Sequence, residues 1–378
     1  MAQPHLAIKK HFRKLRDPRR QGRKRHLLLD ILVITLCAVI CGCNDWQQIT
    51  TFANARRDWL KTFLQLPNGV PSHDTFERVF DRLNPQEFQA CFREWMQALH
   101  EALGLSQIAI DGKTLRGSGS DGRKALHLIS AWATANCLSL GQIAVDEKSN
   151  EIPAIPKLLE LLDLHGALVT IDAMGCQKAI AAKVIEGGGD YVLTVKENQE
   201  HLQADIRAAL NQAYESNFAG LEYDTYETQE RGHGREEYRC YTVLHCTDGI
   251  RQAADWARLT TIGLCYSERT LNGVTSEELR YFIGSRKASA KIYGQALRNH
   301  WGIENKLHWQ LDVTFDEDKN RVRKRHGAEN LALVRRLALS LLQQHPDKHS
   351  LPCKRLLAAL DPAFLKEVLC GDGNPRRF

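Results

Sequence analysis

Three carboxylates, Asp111, Asp172 and Glu304, are the residues of this 378-residue chain best placed for chemistry. Asp111 closes the Ile-rich run Gln107–Asp111, and Asp172 closes Leu-Val-Thr-Ile-Asp. An Asp disfavours a strand interior. Ligand sites of α/β sheets form at the carboxyl ends of strands, so two strands that end in Asp can converge on one site. Taken singly, each Asp reads equally well as a loop acid that caps the next turn. Glu304 lies in His300-Trp-Gly-Ile-Glu304-Asn-Lys-Leu-His308-Trp. On a helix it would share a face with His300, Trp301, Leu307 and His308. A carboxylate on so apolar a face is costly unless paired or metal-bound. Two other readings stand beside a hard-metal ligand: a buried Glu satisfied by His300 or His308, and a transition-metal site made with both histidines. Three carboxylates suit Mg²⁺ or Mn²⁺. Two such ions activate an attacking water or 3′-hydroxyl and stabilise the leaving oxygen of an in-line phosphoryl displacement. They also offset the repulsion between neighbouring acids.

These acids need a sheet and a helix to hold them. Strands are expected at Gln107–Asp111, Leu126–Trp132, Leu138–Val145, Leu168–Asp172 and Tyr191–Lys196, with helices at Ile152–Leu162 and Gln177–Glu186. The order βββαβαβ implies an α/β fold with a mixed sheet covered by helices. After a helix near His201–Tyr214 come β-rich runs, Glu237–His245, Arg258–Ser267 and Leu279–Gly284, and they read as an insertion. Helix resumes from Ser289 through Glu304 towards Leu311, and again over Ala328–Gln343. Upstream, helices are expected over Leu27–Cys41, over Asp45–Leu64, after a Ser72 cap, and over Gln86–Leu103. Leu27–Gly42 is apolar, but Asp30 interrupts it and it falls short of the ~20 residues of a spanning helix. A buried helix with no membrane partner is expected.

The net charge of +6 is unevenly spread. Residues 1–26 hold ten Lys or Arg and one acid, whereas the rest of the chain has 41 bases against 44 acids. Such an arm suits a polyanion, whose counterions are released on binding, and reads alternatively as a solvated tail. Lys319, Arg321, Arg323, Lys324 and Arg325 form a second basic run, either a phosphate track or a solvated helix entrance. A calcium loop starting at Asp316 is excluded, because Arg321 stands where Gly is needed and Gly327 where Glu is. The eleven cysteines follow no zinc or disulfide spacing and fit a reducing cytoplasm. No Gly-rich loop for a nucleotide appears.

Five segments in one order then resemble the H-repeat-associated transposases of bacterial insertion sequences, a branch of the DDE transposases. They are Ile-Ala-Ile-Asp111-Gly-Lys-Thr-Leu-Arg, Asp146-Glu-Lys-Ser-Asn-Glu-Ile, Thr-Ile-Asp172-Ala-Met-Gly-Cys-Gln, Gly-Gly-Asp190-Tyr-Val-Leu-Thr-Val-Lys-Glu-Asn-Gln and His300-Trp-Gly-Ile-Glu304-Asn-Lys-Leu-His-Trp-Gln-Leu-Asp-Val. Gly69-Val-Pro-Ser-His-Asp-Thr-Phe resembles the helical domain associated with that family, and the likeness runs from about residue 15 to 345. One departure stands out. Transposases of the wider clan carry Tyr, Arg, Glu and Lys around the third acid, whereas Leu297, His300 and Leu311 surround Glu304 here; Arg298 or Lys306 would then supply the DNA contact.

The resemblance implies an RNase H-like core that uses Mg²⁺, or Mn²⁺, to cleave transposon-end DNA and transfer the strand into target DNA. Asp111, Asp172 and Glu304 would be both catalytic residues and metal ligands. Arg19, Arg20, Arg23, Lys24, Arg25, Lys113, Lys196, Arg298, Lys306, Arg321 and Arg323 are the expected DNA-binding residues. The expected partner is double-stranded DNA, in a synaptic homodimer within the bacterial cytoplasm at the nucleoid. The expected layout is a basic arm (1–26), a helical domain (27–104), a catalytic core (105–214 and 287–345) interrupted by the β-rich insertion (215–286), and a tail (346–378). The rival expectations are an inactive or domesticated DNA-binding remnant, and an RNase H-like nuclease without strand transfer.

Overall fold

Ile108, Ala109 and Ile110 are fully buried, and beyond Asp111 the burial alternates through Lys113 and Leu115. The first strand, β1 (Gln107–Leu115), is therefore longer than the sequence suggests, because its second half keeps a period of two with a lysine turned inward. The computed structural model describes residue 8 and residues 10–103, 107–120, 122, 124–145, 151–232 and 234–370. The start of the basic arm and most of the segment from Asp146 to Glu151 lie outside those residues. The chain divides into two compact units, Met1–Gly104 with Gly112–Lys148 and Glu304–Phe378, and Leu105–Asp111 with Ser149–Ile303. β1 runs through the division at Asp111.

The second of these units holds the first half of β1 with β4 (Leu168–Ile171), β5 (Asp190–Val195), β6 (Tyr223–Gly232), β7 (Arg235–Leu244), β8 (Thr261–Leu271) and β9 (Val274–Gly284). β1, β4 and β5 are parallel; β5 then pairs antiparallel with β9, and β9-β8-β7-β6 form an antiparallel meander. Its helices α6 (Glu151–Leu159), α7 (Lys178–Glu186), α8 (Glu200–Glu215) and α9 (Ala290–Ile303) cover this sheet. α9 lies against β4 to β7, where Tyr293 and Ala296 join Leu168, Val192, Tyr241 and Phe282 in one core cluster. Gly294 allows that approach, since a Cβ there would stand 2.8 Å from the Tyr241 ring.

The other unit contains α1 (Leu28–Ile40), α2 (Trp46–Ala55), α3 (Arg57–Lys61), α4 (His73–Arg82), α5 (Pro85–Leu103), β2 (Leu126–Ala133), β3 (Leu138–Val145), α10 (Gly327–Gln344), α11 (Leu351–Leu360) and α12 (Pro362–Cys370). The strand order read through β1 is β3-β2-β1-β4-β5-β9-β8-β7-β6, a nine-stranded mixed sheet flanked by helices. α10 is the hub of its unit: it is buried along almost its whole length and packs on α1, α4, α5 and β3.

Several expectations change here. The helix expected over Asp45–Leu64 is two, broken at Arg56. Ser72 does not cap α4 with its side chain; its hydroxyl pairs with Thr75 Oγ1 at 3.2 Å. The stretch after residue 345 forms α11 and α12, and buried Arg355 of α11 donates to Val39 O (2.9 Å) and Ile40 O (3.4 Å) at the end of α1. Val39 O also accepts the Gly42 N–H at 3.2 Å, so Arg355 completes the capping of this helix end. Among the described residues no helix is long and apolar enough to cross a membrane.

Asp30, which interrupts the apolar run of α1, is 2% exposed and its carboxylate accepts the Leu66 N–H at 2.9 Å. Asp30→Ala orphans that buried donor and is expected to cost about 1–3 kcal/mol. Asp30→Asn keeps an acceptor and should cost less. Urea unfolding midpoints of the two variants check this order.

Candidate metal centre

In the parallel pair β1–β4, Ile110 stands opposite Ile171. Asp111 and Asp172 are the next residues, so two carboxylates leave adjacent strands at the same level. Asp111 is half-buried and Asp172 is exposed. Asp172 Oδ1 accepts the backbone N–H groups of Met174 (3.1 Å) and Gly175 (3.3 Å), which fixes the turn after β4. Gly175 leaves no room for a side chain, because a Cβ would lie 2.2 Å from Ile171 Cγ2. Asn198 donates to Ala173 O at 2.7 Å and Gln199 to Cys176 O at 2.9 Å. The Lys-Glu-Asn-Gln segment after β5 thus braces the loop that begins with Asp172. The sequence carried that motif without its role.

α9 is seated over the same strands by polar contacts. Gln107 Nε2 reaches Thr170 Oγ1 (3.1 Å) and Ala296 O (2.7 Å), and His300 Nδ1 pairs with Thr170 Oγ1 at 3.0 Å. His300 therefore serves the strand. Glu304 pairs with His308, whose Nδ1 lies 3.2 Å from Glu304 Oε2. The hydrogen bond from His308 holds the Glu304 carboxyl below its usual range, against the opposing effect of burial.

Glu304 also corrects a sequence expectation. Its side chain is 53% exposed, so it does not lie on a buried apolar face. The helix changes from α to π geometry at this residue, over Glu304–His308 and again over Gln310–Thr314. Glu304 and His308 belong to one unit, whereas Asp111 and Asp172 belong to the other. Carboxylate oxygens and an imidazole nitrogen are donors that a divalent ion can use, so the residues fit a metal.

Lys113, an expected DNA-binding residue, is committed elsewhere. It is 7% exposed, and its ammonium lies 2.6 Å from Asp312, 3.2 Å from Asp318 and 3.8 Å from Glu317. Arg336, with no exposed side chain, binds Glu317 at 3.1 Å. The Thr314 carbonyl is bound by Arg355, whose guanidinium stacks 4.1 Å above the Phe315 ring. The end of the π segment is thereby pinned on three sides. Of the other expected DNA-binding residues, Arg19 pairs with Asp17 at 2.8 Å and donates to His26 O, and Arg298 pairs with Glu230 at 2.9 Å. Lys24 stands 4.0 Å from Asp17. Arg20, Arg25, Lys196, Lys306 and Arg321 are exposed, and Arg323 donates to Gly117 O at 3.0 Å. The side chain of Arg23 lies outside the described residues.

A mixed α/β sheet carries these acids on neighbouring parallel strands, and comparison with known proteins gives the family. Residues 103–341 match the family described as Transposase DDE domain, and residues 9–96 match the DDE_Tnp_1-associated family. The chain belongs to the DDE transposases. It is 39% identical over 379 residues to the "H repeat-associated putative transposase YhhI" of Escherichia coli (strain K12), covering 97% of this chain and 98% of that protein. It is 41% identical over 360 residues to the "Putative transposase YncI" of Escherichia coli O157:H7, covering 93% and 92%. A solved piggyBac transposase synaptic complex with hairpin DNA aligns over 100% of this chain and 86% of its own, at 11% identity and a TM-score of 0.38, which is a slight likeness.

Lys113→Met leaves Asp312, Glu317 and Asp318 short of a cation and is expected to cost about 3 kcal/mol at pH 8. Burial already pushes the Asp312 carboxyl up, and Lys113 opposes that. Without Lys113 the folded carboxyl rises further above its unfolded value, so folding takes up protons as pH falls. The deficit should therefore be largest above the raised folded value and shrink towards pH 5. Denaturant unfolding of parent and variant at both pH values measures it.

Proposed function

We propose that this chain is an active DDE transposase that cuts the DNA at the ends of its element and joins the freed strand to target DNA. The observation that carries this reading is the placing of Asp111, within β1, and Asp172, just past the end of β4, directly after the paired residues Ile110 and Ile171 of two neighbouring parallel strands. Asp111, Asp172 and Glu304 would hold divalent ions, Mg²⁺ or Mn²⁺, in an RNase H-like core formed by residues 105–214 and 287–345. The helical domain (27–104) and basic arm (1–26) would grip DNA, the meander (215–286) would be the insertion, and residues 346–378 the C-terminal extension. Two copies would pair two ends.

A bound divalent ion supplies Lewis-acid polarisation of the phosphate and lowers the pKa of the attacking water. The residues do the rest. The hydrogen bond from His308 keeps Glu304 ionised and aimed. The turn capped by Asp172, braced by Asn198 and Gln199, holds the second carboxylate at a fixed height. In the first step a water oxygen bonds to phosphorus and the P–O3′ bond breaks, releasing a 3′-hydroxyl. In the second, that hydroxyl bonds to a target phosphorus and displaces the target's own 3′-oxygen.

Asp111→Asn, Asp172→Asn and Glu304→Gln should each lower Mg²⁺-dependent nicking of a plasmid carrying the element's ends by about a thousandfold or more. Circular dichroism should show all three folded. Undiminished nicking by Asp111→Asn sinks the assignment. Joining of pre-cut 3′ ends to a second plasmid separates a transposase from a nuclease.

A further inference from the structure

Apart from the carboxylates, the unit that contains α10 has a cavity of about 260 Å³ lined by Lys124, Arg323, Arg325, Leu126, Val145 and Glu329, among others. We infer that this cavity seats one phosphodiester of bound duplex DNA together with its deoxyribose, outside the metal centre; the inference rests on the DNA reading above. Among the described residues, three basic side chains line it against one acid. It also opens at the first turn of α10, an 18-residue helix whose Ala328 and Glu329 line the wall. A helix N-terminus carries partial positive charge and N–H donors that favour an anion. Leu126 and Val145 add apolar wall, which suits a sugar and serves no purpose for a free phosphate.

The walls are held in place by the chain itself. Ser118 donates to Leu115 O (2.6 Å) and accepts from Leu126 N (2.8 Å), closing the loop that leads to Lys124. Gly117 lets that loop press on the second wall, since a Cβ there would stand 2.2 Å from Asn320 O. Arg323 Nε donates to Gly117 O across the same seam and joins residues 206 apart in sequence. The loop of Lys124 and the run that holds Arg323 and Arg325 are thus stitched together at a glycine. Glu329 is the one acid among the described residues of the lining, and burial pushes its carboxyl up to about 7, so its opposition to an anion fades below neutral pH.

The test uses the full chain carrying Asp111→Asn, which does not cut, with EDTA present so that the metal centre is not engaged. Fluorescence anisotropy with a labelled random duplex gives the affinity between 50 and 200 mM salt. Adding Lys124→Ala and Arg325→Ala should weaken binding by about tenfold at the lower salt. It should also flatten the log–log salt slope by about 0.9 for each phosphate no longer neutralised. Lys348→Ala, an exposed lysine beyond the other end of α10, should leave the slope unchanged. A double variant with the parent's slope and affinity overturns the inference, whatever the cleavage activity. If the Asp111→Asn chain itself shows no salt-dependent binding, the transposase reading falls first and the inference with it. Inorganic phosphate alone is titrated as a second arm; saturable millimolar binding that disappears in the double variant, with an unchanged duplex slope, would assign the cavity to a free anion and also overturn it.

Discussion

The parallel register between β1 and β4 is the constraint on which the site depends. A slip of one residue turns every side chain of a strand to the opposite face, and would send Asp111 away from Asp172. The register is secure because Ile108, Ala109 and Ile110 on one strand, and Leu168, Val169 and Ile171 on the other, are buried on both sides of the sheet. Each strand is apolar up to the residue before its Asp, apart from Gln107 and Thr170, which are hydrogen-bonded to each other. The first position free to carry a charge is therefore the same position on both strands. Two carboxylates level with each other repel, and a divalent cation between them would remove that repulsion.

A second constraint acts on the helix that carries Glu304. Ile303, Leu307, Leu311 and Phe315 recur every four residues and are all buried. Trp301, Trp309 and Val313 follow the same spacing and are all exposed. In an α-helix of 3.6 residues per turn, a stripe of spacing four drifts steadily around the axis. The π turns at Glu304–His308 and Gln310–Thr314 widen the winding and keep both stripes straight. Glu304, His308 and Asp312 ride between them. This is why Glu304 can bond to His308 while Asp312, one further turn on, reaches Lys113.

Much of this was legible in the residues, for reasons that also explain the failures. Asp111 and Asp172 end apolar runs; that placed Asp172 at the end of β4, but Asp111 lies within β1, which continues to Leu115. Strand β6 could not be read: its residues 223–232 are mostly exposed, and with no buried face there is no apolar alternation to detect. The same holds for the outer ends of β8 and β9, which run to Leu271 and from Val274. Lys113 looked like a phosphate ligand because charge says nothing about direction, and only packing shows it turned inward. α11 and α12 were missed because each is short and begins beside a proline, Pro352 or Pro362, which reads as a break. Exposed Leu356 and Leu360 also blur the apolar face of α11. The repeat of four through Ile303, Leu307, Leu311 and Phe315 was present in the sequence, and it is the signal that would have exposed the π turns.

The acids of this region have opposite fates, and the difference lies in their partners. Asp312, Asp318 and Glu317 face Lys113, Arg116 and Arg336, and Glu317 is 2% exposed. Their charge pins the chain that follows Glu304. Glu304 has an imidazole as its hydrogen-bond partner, feels the Lys113 ammonium only as a weaker attraction, and remains half in solvent. An imidazole can hold a carboxylate in place as a hydrogen-bond donor without carrying a fixed full charge. A lysine at position 308 would neutralise Glu304 permanently and compete with any cation for its oxygens. The histidine leaves the carboxylate oriented, ionised and still able to take a metal, which is what separates an acid that builds the scaffold from one that can do chemistry on it.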